Sequence, residues 1–238
     1  MADVYEGAGT IITTYFAVVP KVAYMGILMK LGVGKEIVII GIISIIVGSL
    51  GAINQTKIKR MLAYSGIGHV GFMLIGLGIG TYGGMQATLI YMVIYIVMTI
   101  NSFTIVLSQG IQKIAELRGL ARRNGVLGMT VGIGMMSIAG IPPLGGFYNK
   151  YQVLEQTVEA GEIEIAIIAV VMSVISSYYY VRLIRYANFK DKPEVTVETK
   201  EVTLKAGIVL GVTTYIIMTI MFYPSIIWEI TVPSTLLV

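Results

Sequence analysis

The sequence contains no cysteine, one histidine and few charged residues. Charged residues make up 13% of the 238 positions, against about 25% in an ordinary soluble domain, whereas 56% are hydrophobic. Without cysteine there is no disulfide framework, no thiolate metal site and no iron–sulfur ligation, and one histidine excludes a multi-histidine site. This composition excludes a soluble enzyme.

Long apolar runs fill most of the chain. A helix needs about 20 apolar residues to cross the hydrocarbon core of a bilayer. We predict an all-α polytopic protein, a single membrane domain over residues 1–238, with about seven membrane-spanning helices at 7–29, 37–53, 61–82, 85–108, 125–154, 163–181 and 206–233. The N-terminus lacks the three regions of a secretory signal, so we expect no cleaved leader.

The fifth run is longer than one straight crossing needs. Its residues 140–146 read GIPPLGG, and Pro142 and Pro143 have no N–H donors. We therefore predict a broken helix at Gly140 to Gly146. Backbone freed from helical hydrogen bonds at membrane depth requires protein or water as a partner, so the break indicates a polar interior.

The cations are divided unequally between the two sides of the predicted bundle. Lys30 and Lys35 lie on one side, and thirteen of the seventeen lie on the side of the N-terminus: Lys57, Lys59, Arg60, Lys113, Arg118, Arg122, Arg123, Arg182, Arg185, Lys190, Lys192, Lys200 and Lys205. The positive-inside rule then places the N-terminus and a loop at 182–205 in the cytoplasm or the mitochondrial matrix. We expect anionic phospholipids as partners, with cardiolipin as a candidate, and no nucleic acid.

Two lysines lie inside apolar runs. Lys21 is about nine residues, or roughly 13 Å, from the nearer end of its run, too deep for snorkelling to water. An ionisable side chain at that depth marks an ion or proton path. Lys150 follows the predicted helix break, and its alternative is an ion pair with Glu155.

His69 is the third candidate, because its ordinary pKa allows proton exchange near neutral pH. Tyr64 and Ser65 precede it and supply hydroxyl groups. The alternative is a neutral core histidine that bonds a neighbouring helix. The glycines around it match the dinucleotide fingerprint G-x-G-x-x-G without its strand or its acidic residue, so we predict close helix packing instead. The tyrosines at 178–180 are expected to form an interfacial belt.

Three blocks resemble one known family. They are residues 3–8 (DVYEGA) with Pro20-Lys21, residues 55–71 (QTKIKRMLAYSGIGHVG) and residues 139–150 (AGIPPLGGFYNK). The residues of these blocks, their order and their spacing resemble those of subunit 2 of respiratory NADH:ubiquinone oxidoreductase (complex I), particularly its mitochondrially encoded form. The resemblance covers nearly the whole chain.

The resemblance implies an antiporter-like fold and a proton-pumping role in a NADH:ubiquinone reductase. Lys21, His69 and Lys150 then correspond to the family's relay residues on its eighth, tenth and broken twelfth helices. No cofactor is expected in this chain, because flavin, iron–sulfur clusters and quinone would belong to partner subunits. The location implied is the mitochondrial inner membrane, or the bacterial inner membrane.

The chain departs from the family in its extent. Fuller members carry seven earlier helices, with an intramembrane glutamate and lysine, and this sequence begins at the eighth. We therefore expect half of a split subunit, with a separate polypeptide supplying the earlier helices. Two alternatives are a subunit of a multisubunit cation/proton antiporter and a structural membrane subunit that does not pump.

Overall fold

The computed structural model describes residues 1–32, 34–190, 200–225, 227–229 and 231. The helices are α1 (Ala2–Gly7), α2 (Thr10–Leu31), α3 (Glu36–Ile53), α4 (Ile58–Gly78), α5 (Tyr82–Gln109), α6 (Leu120–Arg123), α7 (Gly125–Ala139), α8 (Gly145–Glu159), α9 (Ile163–Ile184) and α10 (Leu204–Thr219). A 3₁₀ turn covers Ile114–Leu117, and a π-helical turn extends α9 over Arg185–Phe189. Lys57 and Lys113 form an isolated antiparallel β-bridge.

Five of the described helices are long and apolar enough to cross a bilayer: α2, α3, α4, α5 and the extended α9. The prediction of an all-helical membrane protein is therefore confirmed. The prediction of seven membrane-spanning helices is not confirmed, because the runs at 125–154 and 206–233 contain shorter helices. In the first, α7 ends at Ala139 and α8 begins at Gly145. In the second, α10 ends at Thr219 and a turn leads to Pro224, while residues 226, 230 and 232–238 lie outside the described ranges.

Several predicted boundaries shift. The run predicted at 7–29 becomes α2 at Thr10–Leu31, and a short helix that was not predicted, α1, precedes it, separated from it by the extended backbone of Ala8. The runs at 61–82 and 85–108 become 58–78 and 82–109, since Thr81 accepts a hydrogen bond from Gly84 N at 3.0 Å and caps α5. The loop predicted at 182–205 begins with helical turns as far as Phe189, and its residues 191–199 lie outside the described part.

Helices α4 and α5 form the centre of the bundle. In the most apolar stretch of α4, 78% of the residues are buried, whereas in that of the peripheral α2 only 22% are buried. Glycines bring α4 against α3, because a Cβ on Gly71 would lie 2.6 Å from Gly41 O. The glycines around His69 therefore serve close helix packing. The contact with α3 places the middle of α4, including His69, in the interior of the bundle.

Charged contacts lie at both ends of the bundle. Lys57 pairs with Glu6, and Arg60 lies 3.2 Å from Asp3, which holds α1 against the start of α4. The hydrogen bond from Lys57, together with the nearby Arg60 charge, lowers the pKa of Glu6. This contact therefore persists above the ordinary carboxyl pKa and is lost as pH falls through the lowered value. At the opposite end, Lys35 bonds Glu162 at 2.7 Å.

Candidate proton-transfer site

The three ionisable residues singled out in the apolar runs are all buried. Lys21 on α2 is 7% exposed, His69 on α4 is 4% exposed and Lys150 on α8 is 5% exposed. The salt bridges among the described residues involve other cations, at the ends of the bundle. Hydroxyl and carbonyl oxygens surround these three side chains instead.

Lys21 contacts the two central helices. Its ammonium group donates to Tyr95 OH at 2.5 Å and to Gly66 O at 3.4 Å, and it lies 4.6 Å from the centre of the Tyr95 ring. Gly66 leaves room for this approach, since a Cβ there would lie 2.7 Å from Lys21 Nζ. A buried ammonium thus has two oxygen partners and an aromatic face.

Both nitrogens of His69 meet tyrosine hydroxyls. His69 Nδ1 lies 2.8 Å from Tyr91 OH on α5, and Nε2 lies 3.3 Å from Tyr180 OH on α9. Tyr180 also forms a hydrogen bond with Ser65. A neutral imidazole donates through one nitrogen and accepts through the other, so one tyrosine donates to the ring and the other accepts from it.

Tyr95 connects the surroundings of Lys21 with those of His69. Its ring centre lies 5.2 Å from that of His69, and its hydroxyl accepts from Lys21. A cavity of about 20 Å³ is lined by both rings and by Ser65, which is enough for one water, since a water needs roughly 10–15 Å³.

Lys150 lies at the helix break. Its ammonium donates to Ala139 O and to Ser173 Oγ, both at 2.9 Å. Ala139 is the last residue of α7, so the cation lies at the negative end of that helix dipole. The alternative ion pair with Glu155 is wrong, because Glu155 accepts from Tyr151 OH at 2.9 Å while Lys150 points inward.

A second small cavity lies between His69 and Lys150. It has a volume of about 10 Å³, and its polar lining comes from Ser49, Ser65, His69, Lys150, Ser176, Tyr179 and Tyr180. That volume is at the lower limit for one water. Lys21, Tyr95, His69, Tyr180 and Lys150 thus form a series in which each polar side chain lies next to the following one or shares a small cavity with it.

The supporting residues are placed differently from one another. Ser65 joins the hydrogen bonds around His69, whereas the half-buried Tyr64 places its ring over Gly51 and does not join them in the described structure. Pro142 and Pro143 lie exposed in the interruption between α7 and α8.

Sequence reasoning missed three tyrosines of this site. Hydropathy places Tyr91 and Tyr95 within an apolar run, and the position of Tyr180 at the end of its run predicts a place in the interfacial belt. The belt prediction is wrong for Tyr180 and for its neighbour Tyr179, which are 1% and 2% exposed, and only Tyr178, at 58%, faces outward. The sequence signal was present in the spacing, because Tyr91 and Tyr95 are four residues apart and share one helix face.

Among the described residues, no three His, Asp or Glu side chains come close enough to hold a metal ion. Hydroxyl groups next to Lys21, His69 and Lys150 can both accept and donate a proton, whereas the carbonyl oxygens only accept hydrogen bonds from the ammonium groups. That this chain holds no cofactor remains a prediction.

Comparison with known proteins connects this geometry to a family. A family model described as NADH:quinone oxidoreductase/Mrp antiporter, TM, matches residues 1–176. The chain is 39% identical over 237 residues to NADH-ubiquinone oxidoreductase chain 2 of Metridium senile, covering 96% of this chain and 62% of that one. It is 41% identical over 244 residues to NADH-quinone oxidoreductase subunit N of Beijerinckia indica, covering 96% and 50%.

Structural similarity agrees with the sequence matches. A chain of respiratory complex I from Thermus thermophilus, solved with bound aureothin, superposes with a TM-score of 0.85 at 28% identity, over 94% of this chain and 52% of that one. The chain thus spans about half the length of most of the relatives it matches. Because the family model covers more than half of its residues, the chain belongs to the NADH:quinone oxidoreductase/Mrp antiporter transmembrane family.

Proposed function

We propose that this chain is a proton-translocating subunit of the membrane arm of a respiratory NADH:quinone oxidoreductase. The observation that carries the proposal is the burial of Lys21, His69 and Lys150 along one series of hydroxyl groups and small cavities. Buried ionisable residues in membrane proteins mark proton paths, and the similar proteins are named as subunits of such oxidoreductases.

The mechanism rests on electrostatic coupling between these sites. A proton that reaches Lys21 Nζ passes through the Tyr95 hydroxyl and a water to His69, which accepts at one nitrogen and releases at the other. Tyr180, Ser65 and a second water lead onward to Lys150. Each transfer changes the field on the next group in a low dielectric, so a charge change elsewhere in the complex drives the series.

The redox chemistry belongs to partner subunits in this proposal. Flavin, iron–sulfur clusters and quinone lie outside this chain, and its location is the mitochondrial or bacterial inner membrane. The basic end of the bundle faces the matrix or the cytoplasm, in keeping with the positive-inside rule, and contacts anionic phospholipids there. The acidic end, with Glu155, Glu159, Glu162 and Glu164, faces the opposite compartment.

We further propose that a bundle carrying the earlier helices of this fold, on a separate polypeptide, packs against α2. The outer face of α2 is apolar and exposed at Ile11, Ile12, Tyr15, Val19, Tyr24 and Ile27. A cavity of about 390 Å³ between α1, α2 and α4 reaches Lys21 from that side. A lipid-exposed path to a buried lysine is costly, whereas a protein partner shields it.

Cysteine cross-linking tests this partner. Ile12 and Val19 are 54% and 45% exposed, whereas Thr14 and Val18 are half-buried, so we choose Ile12 and Val19 as labelling positions. We expect Ile12→Cys or Val19→Cys to capture a second membrane polypeptide within the intact complex, identified by its mass and peptides. Val174→Cys on the exposed face of α9 is the control for random capture. Capture of lipid alone from both α2 positions would contradict the split-subunit proposal.

Copurification tests the function as a whole. A tag on this chain should recover a complex with flavin and iron–sulfur absorbance that acidifies one side of a vesicle on addition of NADH. A complex without redox subunits that exchanges Na⁺ for protons would favour the cation/proton antiporter, the other half of the family description. A redox complex in which Lys150→Met leaves pumping unchanged would favour the structural subunit.

The tyrosine between Lys21 and His69 offers a sharper test. Tyr95→Phe removes one hydroxyl and keeps the ring that packs on His69. We expect unchanged assembly and proton pumping lowered by about tenfold, because a positioned proton-transfer group contributes on the order of 100-fold. Tyr215→Phe, on the exposed face of α10, is the matched control. Equal pumping in the two variants would exclude Tyr95 from the path.

A further inference from the structure

Asn149 is a buried amide that the proposed relay does not use. Its side chain is 0% exposed, and neither its Oδ1 nor its Nδ2 has a hydrogen-bond partner among the described residues. Burying a carboxamide without partners carries an uncompensated desolvation penalty. Most buried polar groups without a protein partner bond an ordered water.

Asn149 faces the interior of the bundle next to Lys150. It lies one helical turn from Gly145 and from Val153 on the same face of α8. A Cβ on Gly145 would lie closer than 3.0 Å to an Ile220 methyl at the end of α10 and 3.6 Å from an Ile94 methyl on α5, and Val153 lies close to Gly76 on α4. The Lys150 ammonium leaves α8 toward Ala139 and Ser173. Asn149 therefore faces the interior between α8 and the helices α4, α5 and α10, where lipid has no access.

A second unpartnered amide lies on α5, nearer the acidic end and three residues from Gly83 on the same helix face. Gln86, in the first turns of α5, is 4% exposed, and its Nε2 has no partner in the described structure. The Gln156 side chain on α8 lies against Gly83 of α5, and its Nε2 donates to Glu159 at 2.7 Å. Amide groups thus continue along the α5–α8 interface from Asn149 to the acidic loop.

We propose that Asn149 and Gln86 bind ordered waters that connect Lys150 with the acidic end of the bundle. The inference rests on the proposed proton-pumping function and gives the proton an onward route from Lys150. The Asn149 carboxamide has one oxygen acceptor and two N–H donors, so it orients a water on each side. Because an amide does not titrate at physiological pH, Asn149 is a positioning residue that holds the water through which the proton moves.

The first test removes the amide while keeping its size. Asn149→Leu should assemble in the complex, because replacing an unpartnered polar group by an apolar one of similar volume removes a desolvation cost. We expect NADH-driven pumping to fall by about tenfold, and Gln86→Leu to lower it in the same direction. Thr130→Val on α7 is the matched control, because the buried Thr130 hydroxyl bonds Val126 O of its own helix.

A second measurement does not depend on pumping. A map of the complex at a resolution that shows waters should contain an ordered water within hydrogen-bond distance of the Asn149 amide, and Asn149→Leu should lose it. A map without an ordered water at the Asn149 amide, or pumping by Asn149→Leu equal to that of Thr130→Val, would overturn the inference. Lys150→Met separates the two proposals. If Lys150→Met and Asn149→Leu both pump normally, the proposed function fails. If Lys150→Met stops pumping while Asn149→Leu pumps normally, only the Asn149 route fails.

Discussion

Replacement of Lys21 by Met should abolish most proton pumping while the complex still assembles. Lys21 is buried, and it contacts Tyr95 OH and Gly66 O without a carboxylate in the described structure. Removing an unpaired buried charge in favour of an apolar side chain is tolerated by the fold. We expect pumping, measured with a pH dye in vesicles, to fall by about tenfold or more, because a positioned proton-transfer group contributes on the order of 100-fold.

Two further variants assign the cause of that loss. Lys30→Met makes the same substitution at an exposed position near the end of the same helix, and it should pump normally. Lys21→Arg keeps the positive charge, but a guanidinium does not release its proton, so it should fail like Lys21→Met. A Lys21→Arg complex with the parental proton-to-electron ratio would show that the charge matters and its titration does not.

Gly146→Ala should prevent stable assembly, the largest structural effect that we expect. A Cβ on Gly146 would lie closer than 3.0 Å to the backbone oxygen of Ser137, where neither side can yield, and 3.0 Å from Met98 Sδ. Gly146 N also donates to Ser137 Oγ at 3.0 Å. Overpacking costs about 1–3 kcal/mol in adaptable cores, and we expect the upper end of that range or more. The measurement is the yield and melting temperature of the assembled complex.

The control for this variant lies on the neighbouring helix. A Cβ on Gly132 of α7 would meet a single side-chain atom, Asn188 Nδ2, at 3.8 Å, which is ordinary van der Waals contact. Gly132→Ala should therefore match the parental protein in yield and melting temperature. If Gly146→Ala also matches it, α8 does not pack against α7 in the complex as it does in this structure.

The positions of the long helices and of the break followed from the sequence, because hydropathy and backbone chemistry act locally. A run such as 37–53 needs only its own residues to become a membrane helix, and the structure has α3 at Glu36–Ile53. Pro142 and Pro143 cannot donate backbone hydrogen bonds, and the helix is interrupted there. The short helix α1 was not predicted, since its residues include Asp3 and Glu6 and do not form an apolar run.

By itself the sequence determined that this protein is helical, belongs in a membrane and carries two lysines and a histidine at depths where charge is costly. Only the tertiary structure decided which groups meet them. Tyr95 is 74 positions from Lys21, and Tyr180 is 111 positions from His69. Hydropathy ranks a tyrosine the same whether its hydroxyl faces lipid, water or an imidazole, so helix rotation and packing alone brought Tyr91, Tyr95 and Tyr180 into the interior. The same packing buried Asn149 beside Lys150 and left its amide for water.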